Sequence, residues 1–353
     1  MLSCEIFQSL YNNKLREAWL FLQKGADMTA FQQYDWYVTQ EASFRSNITR
    51  KLFGEVKYFL FLCDGTPVMI APMCIQKRTI QIGPFGYRKG VYFLGMKGYS
   101  DYLNFIYREI NRQQLLFALT KIAEDAKQTN FLLTQIPENA DSLRVLRELM
   151  AAINMEIAGS ENCVKLEIPE VQETFFLKFS KNLLSNLKKQ RNKYRNNGFS
   201  LDVELYEGII EDQDIREQIQ KIHKERFDVK NRGSRQIKLS KIINSIKRPM
   251  DEIAHAMVHN QSNWLLVGRR EGKIVAYLYG LKDAKAIRIM QLGFLEEHAK
   301  YMPGIITFLK FLTTNYEQFV GSTIDFTRGE ERYKYEIGGQ AHAIVDVHIQ
   351  IAK

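Results

Sequence analysis

The residues best suited to chemistry lie near the carboxyl end, between Asp325 and Tyr335. This segment combines carboxylates, two arginines, a lysine and two tyrosines, and it directly follows a short apolar stretch typical of a buried strand. Ligands of α/β folds bind where such strands end. A general acid, a general base and an anion-binding group could all come from this segment. A solvated charged loop would have the same composition, so the pattern alone leaves both interpretations open.

Histidines are further candidates for proton transfer. His223 carries a side chain that titrates near neutral pH, although a packed or surface histidine fits the same pattern. His255 and His259 are one helical turn apart, but no third ligand is evident, so we predict no metal site. The widely spaced cysteines form no metal or redox motif and are predicted to be reduced thiols in a cytosolic protein. A catalytic cysteine is the alternative.

A basic segment between Lys178 and Arg195 holds much of the positive charge and includes Tyr194 among its basic residues. Such a helix could follow a phosphate backbone, as an aminoacyl-tRNA donor would require. The helical spacing of its leucines indicates that one face is packed, which leaves a solvated charged face as the plainer interpretation.

These residues must be positioned by alternating strands and helices. Two apolar runs flank Asp64-Gly65, and two more flank Glu271-Gly272, so each half is predicted to contain a β-hairpin with an acidic-Gly turn. In the first half we also predict a strand over Asp101–Tyr107. In the second half we predict helices over Glu173–Asn197, Leu239–Asn260 and Gly304–Tyr316.

The end of the second half and the loop before Asp101 complete this outline. Strands are predicted over Ala286–Phe294, Thr323–Phe326 and Ala341–Ile351. In the first half, Asp101 and Tyr102 follow a loop with two glycines. If the halves face each other, these two residues would line the cleft, whereas an Asp that caps a turn is the structural alternative.

Length and composition fit two globular domains. The 353 residues are 45% hydrophobic and 25% charged, which are ordinary globular values. The net charge of +9 favours anionic partners such as a phosphate-bearing cofactor, RNA or an anionic glycan. We find no signal-peptide pattern and no apolar run long enough for a membrane helix, so we expect a cytoplasmic protein.

The segment from Asp325 to Lys334 resembles the DF-x-RG-(D/E)-x-x-YK signature of CelD-like (BcsL-like) acetyltransferases. These proteins belong to the GNAT superfamily and are related to Fem-type peptidyltransferases. Further resemblance lies in Phe93-Leu94-Gly95, in the basic helix, in Ile222 to Arg226 and in Tyr301 to Gly304. It extends from about residue 55 to the carboxyl end.

The resemblance implies an α/β fold of two tandem GNAT-like domains with mixed sheets, which we place at residues 1–160 and 161–353. It implies transfer of an acyl group from an acyl-CoA, most simply acetyl-CoA and without a metal, to an amino group of a sugar or of a cell-envelope or exopolysaccharide precursor. The pantetheine arm would enter between two splayed strands, Ala286–Phe294 and Thr323–Phe326.

The resemblance also assigns residues to the donor. The pyrophosphate would lie at the start of the helix from Gly304, where free N–H groups favour an anion. The residues assigned to it are Tyr301, Met302, Pro303, Gly304 and Ile305. A typical acetyl-CoA loop has two small positions and this chain has only Gly304, so an ordinary helix start is the alternative.

For the reaction itself we predict Tyr333 as general acid, with Lys334 keeping the site electropositive. Asp325 or Glu330 would be the base, and His223 is a further proton-transfer candidate. Substrate binding is assigned to Arg328, Arg226, Asp101 and Tyr102. Arg328 would bind an anionic group of the substrate through a bidentate contact. Pairing of Arg328 with Asp325 across the loop is the structural alternative.

Two other functions remain open from the sequence. One is a Fem-like transferase that uses aminoacyl-tRNA and therefore binds tRNA through the basic helix. The other is a non-catalytic protein of the same fold that binds glycans or nucleic acids.

Overall fold

The computed structural model describes residues 1–24, 28–46, 54–82, 85–96, 98–230 and 252–351. The strands are, in chain order, β1 (Leu2–Phe7), β2 (Gly54–Cys63), β3 (Thr66–Gln76), β4 (Ile80–Ile82), β5 (Phe85–Tyr87), β6 (Gly90–Phe93), β7 (Ile106–Tyr107), β8 (Asn130–Pro137), β9 (Ile153–Glu167), β10 (Asp202–Glu207), β11 (Asn263–Arg270), β12 (Lys273–Lys282), β13 (Ala286–Phe294), β14 (Thr323–Arg328) and β15 (Gln340–Ile351).

The helices alternate with these strands along the chain. They are α1 (Asn13–Gln23), α2 (Tyr34–Ser46), α3 (Arg112–Ala126), α4 (Asp141–Glu148), α5 (Gln172–Leu177), α6 (Lys181–Asn196), α7 (Gln213–Lys230), α8 (Glu252–His259), α9 (Pro303–Thr314), α10 (Tyr316–Phe319) and α11 (Arg332–Glu336). None of the helices in the described ranges is long and apolar enough to span a bilayer.

The described residues form two compact units. The first contains residues 1–161, residue 252 and residues 343–351, and the second contains residues 162–230 and 253–342. The last strand therefore belongs to the first unit, whereas the sequence places all of 161–353 in the second domain. The reason is that β15 pairs antiparallel with β8 and buries Val345, Val347 and Ile349 in the core of the first unit.

In the first unit the strand order is β1-β2-β3-β6-β8-β15. Neighbouring strands are antiparallel except β6 and β8, which are parallel. Alternate residues of β2 enter two cores because successive side chains point to opposite faces. Phe59 and Phe61 join α3 and α4 in one core, and Tyr58 and Leu60 join α1 and α2 in the other.

The second unit repeats this arrangement with the order β10-β11-β12-β13-β14-β9. Again only the fourth and fifth strands, β13 and β14, are parallel. Trp264 and Leu266 of β11 pack on the side of α5, α6 and α9, and Leu265 and Val267 pack on the side of α7 and α8. The predicted α/β class with mixed sheets is confirmed.

The two predicted hairpins occupy equivalent places in the two units. β2 and β3 turn at Asp64 and Gly65, with φ of 48° and 80°, and β11 and β12 turn at Glu271 and Gly272, with φ of 50° and 78°. Two positive φ values at the turn match the right-handed twist of a hairpin, which is why glycine follows the acidic residue.

Three predicted elements differ from the structure. The helix over Glu173–Asn197 is broken into α5 and α6, because the Ser180 side chain accepts a hydrogen bond from the Leu183 amide at 3.0 Å and starts a new helix. The strand over Asp101–Tyr107 shrinks to β7. Of the helix predicted over Leu239–Asn260, residues 239–251 lie outside the described residues, and α8 covers most of the rest.

Candidate active site in the second unit

The site is built around a gap between β13 and β14. These parallel strands pair at only three positions, the last being Arg288 with Asp325. Beyond it, β14 changes register against β9 and Thr327 adopts a φ of 53°. β13 has an extra residue, Met290, opposite β12. Such bulges bend strands, so β13 and β14 separate, and the splay predicted from the sequence is confirmed.

A buried ion-pair network fixes the point where the strands separate. The Arg288 guanidinium bonds Asp325 Oδ2 at 2.7 Å and Asp283 Oδ2 at 2.6 Å. Asp325 is fully buried, and its Oδ1 also accepts from the Thr327 amide at 2.8 Å. The carboxylate of Asp325 thus bonds both Arg288 and the Thr327 amide and holds the bulge in β14. The structure pairs Asp325 with Arg288 and not with Arg328.

Lys334 organises the loop that follows β14. Its side chain is almost fully buried, and Nζ lies 2.8 Å from the Phe326 carbonyl, 2.9 Å from that of Arg328 and 3.1 Å from that of Gly329. Glu331 Oε2 completes the set at 2.8 Å. A cation that ties three carbonyls from one turn together shapes that turn, so Lys334 positions the loop.

Glu330 and Arg328 lie on the solvent side of this loop. The Glu330 side chain is exposed, and its Oε1 accepts hydrogen bonds from Asn162 Nδ2 at 3.1 Å and from the Tyr335 hydroxyl at 3.0 Å. Arg328 is half-buried at the end of β14. Both side chains are accessible to a ligand, unlike that of Asp325.

Tyr333 packs against β14, just before the bulge in that strand. It is half-buried on α11, and its ring meets that of Phe326 edge-on, with centroids 6.0 Å apart. Burial raises the pKa of the Tyr333 phenol, Glu331 acts in the same direction, and Arg226 opposes them. The hydroxyl is therefore protonated at neutral pH, as a general acid must be.

Helix α7 brings Arg226 and His223 to the same side of the second unit as the end of β13. The Arg226 guanidinium carbon lies 4.1 Å from the centroid of the Phe294 ring, a cation–π contact. Its Nη1 atom is buried and has no hydrogen-bond partner among the described residues. His223, three residues earlier, is half-buried.

The start of α9 lies against β13. Met302 has the left-handed φ of 53°, and Pro303 and Gly304 open the helix. A Cβ atom on Gly304 would come within 2.7 Å of Leu292 Cδ2, so the glycine lets the helix start approach the strand. Tyr301 is buried against Phe199, with ring centroids 4.4 Å apart. The first N–H groups of such a helix have no partners within it and can bind an anion.

The two candidate residues of the first unit, Asp101 and Tyr102, are buried. Asp101 and Tyr102 are 4% and 2% exposed, inside the core of that unit. Tyr102 lies close to Phe31, with ring centroids 6.4 Å apart. Their side chains thus support the packing of the first unit, and their assignment to substrate remains a prediction.

The second unit contains residues that shape the candidate site and that the sequence does not single out. Arg288 and Asp283 belong to this group, and so do Thr327, whose hydroxyl donates to the Ile289 carbonyl at 2.9 Å, and Phe294. Arg288 interrupts an apolar strand, and an arginine at such a position indicates a buried carboxylate partner. Among the described residues, no group of His, Cys, Asp and Glu has the arrangement of a metal site.

Comparisons with known proteins agree with this geometry. Residues 181–335 match the protein-family model for an acetyltransferase (GNAT) domain. No curated protein matches the chain significantly. A conserved protein of unknown function from Bacteroides thetaiotaomicron VPI-5482 is 12% identical, with a TM-score of 0.55 over 99% of this chain and 100% of that one.

Two further solved structures are similar over most of their length. FemX is 10% identical, with a TM-score of 0.58 over 99% of this chain and 97% of its own. L-PGS from Bacillus licheniformis is 10% identical, with a TM-score of 0.50 over 88% of this chain and 90% of its own. Such identities indicate a shared fold. The match over residues 181–335 identifies a GNAT-type acetyltransferase domain there and supports an N-acyltransferase activity.

Proposed function

We propose that the protein transfers an acyl group from an acyl-CoA-type donor, acetyl-CoA in the simplest case, to an amino group of a sugar or of a cell-envelope or exopolysaccharide precursor. The gap between β13 and β14, next to the start of α9, carries the donor part of this proposal. The resemblance of Asp325 to Lys334 to CelD-like acetyltransferases supports the acceptor part.

The residues around the gap fit such a donor. Beyond Arg288, β13 no longer pairs with β14. The backbone N–H groups of β13 in this stretch would polarise a thioester carbonyl. The amides of Gly304 and Ile305 would hold the pyrophosphate, and Tyr301 and Met302 shape the turn before them. When bound, the donor supplies an activated acyl group and a thiolate leaving group.

The proton transfers can be assigned to side chains of this site. The neutral amine attacks the carbonyl carbon, the N–C bond forms, and the C–S bond breaks. Glu330 is the proposed base, because it is exposed whereas Asp325 is buried and bound to Arg288. His223 is the alternative base. Tyr333 donates a proton to the departing thiolate and recovers one from solvent.

Calorimetric titration with acetyl-CoA, longer acyl-CoAs and charged tRNA tests the donor. We expect an acyl-CoA to bind and to acylate an amino sugar, detected by mass spectrometry as an N-acyl product. A Gly304→Val variant should lose donor affinity, because its side chain would collide with Leu292. A protein that binds none of the acyl-CoAs would refute the proposal.

One observation favours the second candidate, a transferase that uses aminoacyl-tRNA. Lys188, Lys189, Arg191, Lys193 and Arg195 of α6 are all exposed. Their charges are available to a phosphate backbone, whose binding weakens steeply with salt. FemX, whose fold is similar, is consistent with this candidate but shows only the fold.

Neutralising three basic residues of α6 separates the two donors. If tRNA is the donor, replacing Lys188, Lys189 and Arg191 with Gln should weaken turnover and flatten its salt dependence. A control that replaces the exposed Lys89 and Arg112 should have no such effect. Unchanged turnover and salt dependence in the α6 variant would exclude the tRNA donor.

A further inference from the structure

We infer that the acceptor carries an anionic group, a carboxylate or a phosphate, and that Arg226 binds this group beside Tyr333. The inference rests on the proposed function and names the class of acceptor. Three observations support it. Arg226 stacks on Phe294, its guanidinium has a donor without a partner among the described residues, and it lies beside the end of β13.

The stacking contact holds Arg226 in one orientation without using its hydrogen-bond donors. The guanidinium carbon is 4.1 Å from the Phe294 ring centroid. A guanidinium held over a ring in this way uses none of its N–H donors in the contact, so they can form a bidentate pair with a carboxylate or phosphate. Arg226 is thus ordered before a ligand binds, which favours affinity.

The donors of Arg226 are unsatisfied within the described residues. Nη1 is buried without a hydrogen-bond partner, and no carboxylate of the described chain forms an ion pair with this guanidinium. Arg288, which is buried, has two carboxylate partners. Because buried charged donors are normally paired, Arg226 has the properties of a group whose partner is a ligand.

The position of Arg226 indicates which substrate supplies the anion. Phe294 ends β13, the strand that borders the gap, and Arg226 is close enough to Tyr333 for its charge to oppose the rise in the pKa of that phenol. Tyr333 is the proposed acid at the thioester. The thioester end of an acyl-CoA is uncharged, and its phosphates lie a pantetheine arm away. An anion at this place therefore belongs to the acceptor.

Paired acceptors test the inference. We would compare glucosamine with its 6-phosphate and with its 6-carboxylate analogue, measuring kcat/KM for acylation and, without donor, Kd by calorimetry. The wild type should prefer an anionic acceptor by about 10- to 100-fold, the range that a charged hydrogen-bonded pair supports. Whether phosphate or carboxylate gives the larger factor identifies the anion.

The variants assign that preference to Arg226. Arg226→Met should bring the ratio of anionic to uncharged acceptor close to one. Arg226→Lys should keep part of the preference, because lysine supplies the positive charge but not the planar, bidentate geometry of a guanidinium. Lys224→Met is the matched control, since it removes an exposed charge from the same helix and should keep the wild-type ratio.

The outcomes separate this inference from the proposed function. A wild type without anion preference, an Arg226→Met variant that keeps it, or a loss of acyl-CoA affinity in place of acceptor affinity would overturn the inference. Acylation of glucosamine without any preference would leave the proposed function intact. Conversely, Arg226-dependent binding of an anionic amine without acylation would support the inference and count against the proposed function.

Discussion

Replacing Lys334 with methionine should loosen the loop after β14. Methionine keeps most of the volume of this buried side chain but leaves the Phe326, Arg328 and Gly329 carbonyls without their donor. A hydrogen bond to a charged group contributes about 1.5–3 kcal/mol net. The ion pair with Glu331 adds little, because that carboxylate is 58% exposed.

The three carbonyl bonds share one ammonium group and are not additive, so the expected loss is about 1.5–3 kcal/mol, the range for hydrogen bonds to a charged group. Urea unfolding would measure the global part of this loss. Hydrogen exchange would measure the local part at the Gly329 amide, which bonds the Asn162 carbonyl at 3.2 Å.

Arg332→Met is the matched control, because Arg332 lies on the same short helix but is 77% exposed and pairs with Glu336 at the surface. It should cost no more than about 0.5 kcal/mol. If Lys334→Met lowers stability by less than about 1 kcal/mol and leaves exchange at Gly329 unchanged, the carbonyl contacts do not hold the loop.

Three further predictions concern the same site. Asp325→Asn should cost about 3–5 kcal/mol in urea unfolding, since it unbalances the buried charge of Arg288, and a neutral result would contradict the ion-pair network. Tyr333→Phe should lower kcat by about 10²- to 10⁴-fold with donor affinity and melting temperature nearly unchanged, whereas full activity would exclude Tyr333 as the acid. Gly304→Ala should weaken acyl-CoA binding by crowding Leu292, and adding Leu292→Ala should restore it; absence of rescue would show that another contact is responsible.

The sequence predicts the repeated hairpins and the general place of the site because both depend on local chemistry. An acidic residue followed by glycine between apolar runs has few other backbone solutions, and both such turns are found. The motif from Asp325 to Lys334 is likewise contiguous, so its position after a strand is visible in the chain itself.

The roles inside the motif depend on distant partners and could not be predicted in the same way. Asp325 bonds Arg288, which is 37 residues away, and not the nearby Arg328. Lys334 reaches backbone carbonyls only because Thr327 and Gly329 adopt φ of 53° and 104°. Arg226 is oriented by Phe294, from another element. Sequence spacing does not contain such contacts.

The pairing of β15 with the first unit has a consequence for synthesis and engineering. The strand β15, which pairs with β8, is synthesised after residues 1–161, so a nascent chain that has left the ribosome up to residue 161 has an open edge along β8 and an incomplete core. Open edges and exposed apolar surface promote association with other chains. We therefore expect residues 1–161 to aggregate when they are expressed alone. A chain in which a flexible linker joins residues 343–351 to residues 1–161 should be soluble.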